Sequence, residues 1–388
     1  MSLRNKVAIV GVGESDIGKV PHLSGLGLNA QACKRALNDA GLRPSDIDGL
    51  LTAYSFTEHY TMLGASLCEY MGLRPRMCAS MVAGGASPGI MLRHAAQAIA
   101  AGTAETVLVC AGENRATGLG REAAIAVLAN VGHPQFEKPY GASIPSFYGM
   151  VAQRHMHAHG TTREQLASVA VNTRAHALLH PHAQMKTALT IDEVLASKPI
   201  ADPLRMLDCC IISDAAGAFV VTSAERARDL PHKPAYLLGI GEMHTHEHVM
   251  CAPDLNHFGA QESGRSAYRM AGLGPGDMDL AQLYDCFTIV PIIELEELGF
   301  CGPGEGGAFF AEGHARVGGK LPVNTNGGML SHAHAGAAGA ILGIVEVVRQ
   351  LRGGLGARQV DGATAALVHN EGGILSSHCT MVLANDRS

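Results

Sequence analysis

The chain repeats part of itself. Residues 40–56 and 271–287, laid side by side without a gap, agree at seven of 17 positions: Ala, Gly, Leu, Pro, two Asp and the final Phe. Ordinary composition would give about one such agreement. The same order recurs around each copy. Lys6 to Glu14, a short apolar run ending in glycines, opens the first half, and Pro234 to Glu242 opens the second in the same way. Gly84-Gly85 precedes an Ala-rich helical stretch as far as Gly102, and Gly327-Gly328 precedes an apolar helical stretch from Ile341 to Leu351. Leu108-Val109 is answered by Leu367-Val368. A duplicated order of strand-like and helix-like periods implies two similar β/α units packed as one molecule. The reading divides the chain into residues 1–112 with 208–230 as the first unit, 231–388 as the second, and 113–207 as an inserted, His- and Arg-rich lid region.

Within the units, residues 28–40 read as a helix stopped at Gly41, Asp48 to Phe56 and Thr106 to Cys110 as strands, and Thr162 to Ala177 as a helix in the insertion. With 388 residues, 47% of them hydrophobic and only 16% charged, there is ample apolar surface for so large a core. A net charge of −6 without a dense basic run gives no footprint for nucleic acid or an anionic membrane. The opening apolar run is too short for a signal peptide or a membrane span, so a cytoplasmic protein is expected. Ten cysteines without a C-x-x-C pair signal neither a disulfide framework nor a zinc ribbon.

Chemistry gathers at residues 324–336, where Asn324, Asn326, Ser331, His332 and His334 stand among glycines just before the apolar helix. A helix N-terminus favours negative charge, and glycines let a ligand approach the backbone. An anion or enolate site is therefore expected, with His334 a neutral donor or base. Tyr284-Asp285-Cys286-Phe287 ends the second copy of the repeat. Cys286 is either an acid/base group or a small buried residue, and Tyr284 either a functional hydroxyl or a core aromatic. Asp285 reads first as a cap for the apolar helix from Ile289 to Leu298. The alternating histidines His155, His157, His159 and His244, His246, His248 invite a metal reading, but with no cysteine or second carboxylate at ligand spacing no metal is expected.

With the duplicated units, the two Gly-Gly-helix pairs and YDCF in view, the chain resembles the thiolase superfamily over nearly its full length, most closely the sterol-carrier-protein thiolases and lipid-transfer-protein-type enzymes. Asp214 to Ala218, Tyr284 to Thr288, Asn324 to Gly328 and Val368 to Gly373 stand in the expected order. The resemblance implies a duplicated five-layered α/β/α/β/α fold, a homodimer, an acyl-CoA thioester as substrate with no other cofactor, and a small zinc-ribbon and OB-fold partner protein. It also implies an acid/base cysteine at Cys286 and the histidine of a G-H-P motif at His334.

The departures matter as much. Gly85 stands where a thiolase carries its nucleophilic cysteine, so the thioester-forming sulfur is absent. Cys78 lies upstream of the turn, and Ser87, whose hydroxyl would need an adjacent base to act as a nucleophile, reads rather as a helix cap. Ala335 replaces the usual Pro, Tyr284 the His of H-D-C-F, and the C-terminal C-x-G is missing from Val368 to Gly372. The expected site comprises Cys286, His334, Tyr284 and Asp285 as catalytic groups, with Gly85, Gly328 and Gly372 as backbone oxyanion donors. Ser87, Asn326, His369 and Asn370 are assigned to substrate binding, and Arg154, Arg163, Arg174 and Lys186 to the CoA phosphates. Without a nucleophile, enolate chemistry remains, and retro-aldol cleavage at the β position of an acyl-CoA is favoured. The alternatives are conventional acyl transfer, a non-catalytic acyl-CoA- or lipid-binding subunit, and, more distantly, a metal-dependent hydrolase.

Overall fold

A computed structural model describes residues 2–386 apart from 121, 124–126, 128 and 129. That part of the expected 113–207 insertion, and the last two residues of the second unit, lie outside the described residues. The first half contains β1 (Val7–Glu14), α1 (Gly25–Ala40), β2 (Gly49–Ala53), α2 (Leu63–Met71), β3 (Met77–Met81), α3 (Ser87–Ala100) and β4 (Thr106–Asn114). Next come α4 (Ile144–His159), α5 (Arg163–Leu179), α6 (Ile191–Ala196), the short pair β5 (Pro199–Ala201) and β6 (Leu204–Arg205), and β7 (Asp214–Ser223). The second half holds β8 (Ala235–His244), α7 (Ala260–Ala271), β9 (Leu280–Gln282), α8 (Ile289–Glu297), α9 (Gly306–Ala311), α10 (Ala338–Arg352), β10 (Ala365–Gly372) and β11 (Ser377–Ala384).

The strand order β3-β2-β4-β7-β1-β8-β11-β10-β9 is a palindrome of the duplication. β2 runs parallel to β4 as β9 does to β10, and β4 is antiparallel to β7 as β10 is to β11. The halves join where Ala8 and Ile9 of β1 pair with Tyr236 and Ala235 of β8. Even the edge strand β3 has a remnant counterpart, a single parallel bridge from Ala281 to Val323.

The repeated aspartates explain the register of the two halves. The carboxylate of Asp48 accepts the backbone N–H groups of Glu105 and Thr106 at 3.0 and 2.9 Å, fixing the start of β4. Asp279 does the same for Thr364 and Ala365 at 2.7 and 3.0 Å, at the start of β10. The paired glycines of the opening strands set the helix distance. A Cβ on Gly11 or Gly13 would lie 2.3 or 2.4 Å from the carbonyls of Ala36 or Ala32 in α1, and one on Gly239 or Gly241 would lie 2.0 or 1.9 Å from those of Ala267 or Ser263 in α7. Each glycine thus lets a helix sit directly on its strand, so α1 and α7 form the outer layers.

Helices α3 and α10 each pack against strands of both halves and make the central layer, completing the five-layered α/β/α/β/α architecture. Ile341, Ile344, Val345 and Val348 of α10 are buried with Met91, Leu92 and Ala95 of α3 in that core. The strand expected through Phe56 ends at Ala53, and residues 54–62 form a loop beside the site instead. The helix expected at 28 begins at Gly25, because Ser24 caps it through the N–H of Gly27 at 3.1 Å.

Candidate active site

Two polar elements are zipped together by the segment from Asp208 to Asp214. On one side Cys210 N–H donates to the Cys286 carbonyl at 2.9 Å, and the Thr288 hydroxyl donates to the Asp208 carboxylate at 3.0 Å. On the other side Ile211 N–H donates to the Met329 carbonyl at 3.2 Å, and Ser213 N–H to the His334 carbonyl at 3.0 Å. Tyr284, Cys286 and His334 therefore meet, with the Tyr284 and His334 rings edge-on at 6.4 Å between centroids.

The third wall is a contact between glycines. A Cβ on Gly84 would lie 2.8 Å from Gly372 Cα, and one on Gly372 would lie 2.1 Å from the Ala83 carbonyl, so the turn before α3 and the end of β10 touch backbone to backbone. Gly85 and Gly372 are thus neighbours, as expected of one site. At Gly85 a Cβ would lie 2.2 Å from Tyr284 Cε2, 2.4 Å from Cζ and 2.3 Å from the Glu371 carbonyl. The ring of Tyr284 fills the space that a side chain at position 85 would need, so the two departures from the thiolase pattern, Gly85 and Tyr284, meet in one contact.

Several expected roles are corrected. Asp285 does not cap the helix that follows it, whose N-cap Thr288 makes no side-chain cap bond. Its carboxylate accepts from Met329 N–H at 2.7 Å and Leu330 N–H at 3.4 Å, and a Cβ on Gly328 would lie 2.0 Å from Asp285 Oδ2. Gly328 is therefore needed for close approach to Asp285, and its N–H, bound to Asn326 Oδ1 at 2.9 Å, is no free oxyanion donor. Asp285, Asn326, Gly328, His369 and Asn370 line a separate polar cavity of roughly 10 Å³, room for about one water rather than a substrate. The unpartnered Asn370 Oδ1 suits such a water.

His369 bonds Thr380 Oγ1 at 2.8 Å and His378 Nδ1 at 3.1 Å inside the sheet. Ser87 is fully buried and closes its own turn, donating to the Gly84 carbonyl and accepting from Ala83 N–H. Of the cations assigned to phosphates, Arg174 is buried against Ser331 and the Thr187 carbonyl, Arg163 is paired with Asp202, and Lys186 donates to the His180 carbonyl. Arg154 remains exposed.

The structure adds residues that the sequence reading passed over. Tyr148 donates to Glu371 Oε2 at 3.0 Å, stacks on Phe287 at 4.5 Å, and has its hydroxyl close enough to Cys286 to act on the thiol electrostatically. A chain Cys286–Tyr148–Glu371 runs away from the site. Arg115, held by Glu113 at 2.5 Å, lies 5.4 Å from the Phe56 ring, and its charge reaches His334 and Tyr284. Cys210 Sγ lies 2.9 Å from His334 Nδ1. A charged residue at the end of an apolar strand was the signal for Glu371, and the lone carboxylate in the apolar run of α8 was the signal for Glu294, which holds Tyr284 N–H at 2.8 Å.

Burial governs the electrostatics. It pushes Asp285 up to about 7, against the opposing N–H groups of Met329 and Leu330, and Glu371 up to about 8, against the Tyr148 hydroxyl and Leu375 N–H. The thiol of Cys286 and the phenol of Tyr284 are raised well above their usual ranges by burial and then by neighbouring ionisable groups. His334 is lowered to about 3 by burial and then by the Arg115 charge, so its imidazole is neutral at physiological pH.

Neither alternating histidine triplet gathers into one cluster. His244 contacts Glu242, His246 the Ile374 carbonyl, and His248 the His133 ring. Two other clusters come within metal-ligand range, His155 with His159 and Glu296, and Glu14 with His180 and His332. In the first, both nitrogens of His155 are occupied, by Thr161 and Glu296. In the second, His180 Nδ1 accepts from His182 N–H, which leaves the proton on the Nε2 that faces the cluster, and Arg349 lies 3.2 Å from Glu14. That set suits a buried water better than a cation.

Residues 7–225 match the family described as "Thiolase, N-terminal domain", and residues 241–385 the family described as "Thiolase C-terminal domain-like". The chain is 36% identical over 374 residues to an acetyl-CoA acetyltransferase of Methanothermobacter thermautotrophicus, covering 95% of this chain and 96% of that one. It is 38% identical over 367 residues to a 17-hydroxy-3-oxo-4-pregnene-20-carboxyl-CoA lyase of Mycobacterium tuberculosis, covering 90% and 92%. Among solved structures it is similar to the Ltp2-ChsH2(DUF35) aldolase, with TM-score 0.87 and 34% identity across 100% of this chain and 99% of that one. With both duplicated halves matched in order, the chain belongs to the thiolase superfamily, on its SCP2-thiolase-like side.

Proposed function

We propose that the protein is a carbon–carbon lyase that cleaves a β-hydroxyacyl-CoA by a retro-aldol reaction without a covalent acyl-enzyme. The observation that carries this reading is the Tyr284 ring lying 2.2 Å from where a Cβ at position 85 would stand. A thiolase nucleophile has no room there. The similarity to a lyase and to an aldolase accords with this reading, and against the comparable similarity to an acetyl-CoA acetyltransferase it is the occupied space at position 85 that favours the lyase.

In the proposed reaction the β-hydroxyl proton passes to Cys286 and along Tyr148 to Glu371. The Cα–Cβ electron pair becomes the thioester enolate as the β-carbon becomes a carbonyl. His334 donates to the enolate oxygen, and Tyr284, whose hydroxyl makes no hydrogen bond among the described residues, meets the β-oxygen. Return of the proton to Cα yields the shortened acyl-CoA, so atoms and charge balance without water, free CoA or a redox cofactor. Incubation with a β-hydroxyacyl-CoA and no added CoA tests this. The carbonyl product and shortened acyl-CoA should form one to one, and an absolute requirement for free CoA would overturn the assignment.

The assembly belongs to the same proposal. β3 is an edge strand with Cys78, Ala79 and Ser80 exposed, beside Val82 at 75% and Met62 at 67% exposure, and an open apolar edge of this kind supports a homodimer. Phe136, Tyr140 and Met250 present an apolar patch joined through the Met250 N–H bond to Glu137, a surface suited to a small DUF35-type partner of the zinc-ribbon and OB-fold kind. Among the described residues no helix is long and apolar enough to cross a membrane. A cytoplasmic setting fits ten free cysteines. The 113–207 segment is proposed as the cover over the CoA arm.

A further inference from the structure

His334 carries the enolate in the proposed reaction, yet an imidazole offers two nitrogens, and which one bears the proton decides whether it can donate. Its backbone is pinned on both sides. His334 N–H donates to the Ser213 hydroxyl at 3.0 Å and its carbonyl accepts from Ser213 N–H at 3.0 Å, which fixes the backbone from which the ring projects. Nδ1 lies 2.9 Å from Cys210 Sγ, and among the described residues nothing bonds Nε2. Cys210 is itself placed by its N–H bond to the Cys286 carbonyl.

We infer that Cys210 is a positioning residue: its S–H donates to His334 Nδ1, which fixes the ring as the Nε2–H tautomer and aims a neutral donor at the thioester oxygen. The role toward that oxygen rests on the proposed lyase reading; the tautomer does not. A thiol is a weak acceptor, whereas an sp² imidazole nitrogen is a good one, so the proton between them belongs on sulfur. Both groups stay neutral. Burial raises the Cys210 thiol and lowers His334, so the thiolate–imidazolium pair of a cysteine nucleophile is disfavoured from both sides. Cys210 adjoins Cys209 in the chain, but only Cys210 meets His334. The pair looks like a nucleophile and its base and acts as a donor and its orienting partner.

The test reads the tautomer directly. In ¹⁵N-labelled protein, His334 of the wild type is expected to show a protonated Nε2 and an unprotonated Nδ1 across pH 5–9. Cys210→Ala should give a mixture, and Cys210→Ser, which keeps an O–H donor, should restore the single tautomer. On a β-hydroxyacyl-CoA substrate, Cys210→Ala should lower kcat about tenfold with KM within about twofold, and Cys210→Ser should recover most of it. A protonated Nδ1 in the wild type, or a Cys210→Ala protein with the tautomer unchanged, would overturn the inference. So would an acyl adduct on Cys210, because that would make it a nucleophile. Wild-type protein that shows the expected tautomer but no lyase activity would refute the proposed function and leave this inference standing. Should Cys210→Ala fail to fold, the wild-type and Cys210→Ser spectra still decide it.

Discussion

Gly85 and Tyr284 behave as one steric unit. Adding a single methyl at Gly85 drives Cβ to 2.2 Å from the Tyr284 ring, and the Glu371 carbonyl 2.3 Å away cannot yield. Gly85→Ala is expected to destabilise the fold by about 1–3 kcal/mol and to lower activity at least tenfold. Pairing it with Tyr284→Ala should cost less than the sum of the two single changes, which urea unfolding of the four proteins in a double-mutant cycle would show. The same contact means that Gly85 opens no space for a substrate, because the room is taken by tyrosine. Gly85→Cys alone should not create a thiolase. Glu371 carries a second prediction. Its folded pKa of about 8 lies above the unfolded value of about 4.3, so between those values the folded chain keeps a proton that the unfolded chain releases. Stability from this group is therefore lost as pH rises through that window and is level above it. Glu371→Gln should flatten that fall when unfolding is compared at pH 5 and 8.5. It should also remove the rise in kcat through pH about 8 that a base of this pKa gives the wild type.

The elements show what the sequence could disclose. Pairing of Pro44–Asp46 with Pro275–Asp277 and of β2 with β9 was legible because the turn chemistry itself is duplicated. Asp48 read only as the start of a strand and Asp279 as its repeat, and their bonds to the starts of β4 and β10 lie 57–58 and 85–86 residues away, beyond any local pattern. Asp279→Ala and Asp48→Ala should each cost about 1.5–3 kcal/mol in chemical denaturation, with similar losses in the two halves. For the same reason Asp285 was misread. Its partners, Met329 and Leu330, sit 44 and 45 residues downstream, while the local signal pointed to the next helix. Cys286, His334 and Tyr284 were legible as motif positions, whereas Cys210, Tyr148, Glu371 and Arg115 came from segments that only the fold brings together.

At the scale of the molecule, the duplication brings the Gly84-Gly85 turn of the first half against Gly372 and the Tyr284 ring of the second, so the space a side chain at 85 would need is filled from the other half. The open edge of β3 also belongs to this scale. Ala79→Lys, which puts a charge on that edge, should convert a dimer to a monomer in size-exclusion chromatography and leave thermal unfolding nearly unchanged. The exposed row of β3 residues was not visible as an edge from the sequence, since edges depend on the strand order of the whole sheet. In the proposed reaction no side chain of this protein carries the acyl group during turnover. Rapid acid quench after mixing with a β-hydroxyacyl-CoA or with acetyl-CoA, followed by intact-protein mass measurement, tests it most directly. Only the unmodified mass is expected while the carbonyl product accumulates; an acyl-sized increment that forms and decays at the rate of turnover would contradict the proposed reaction.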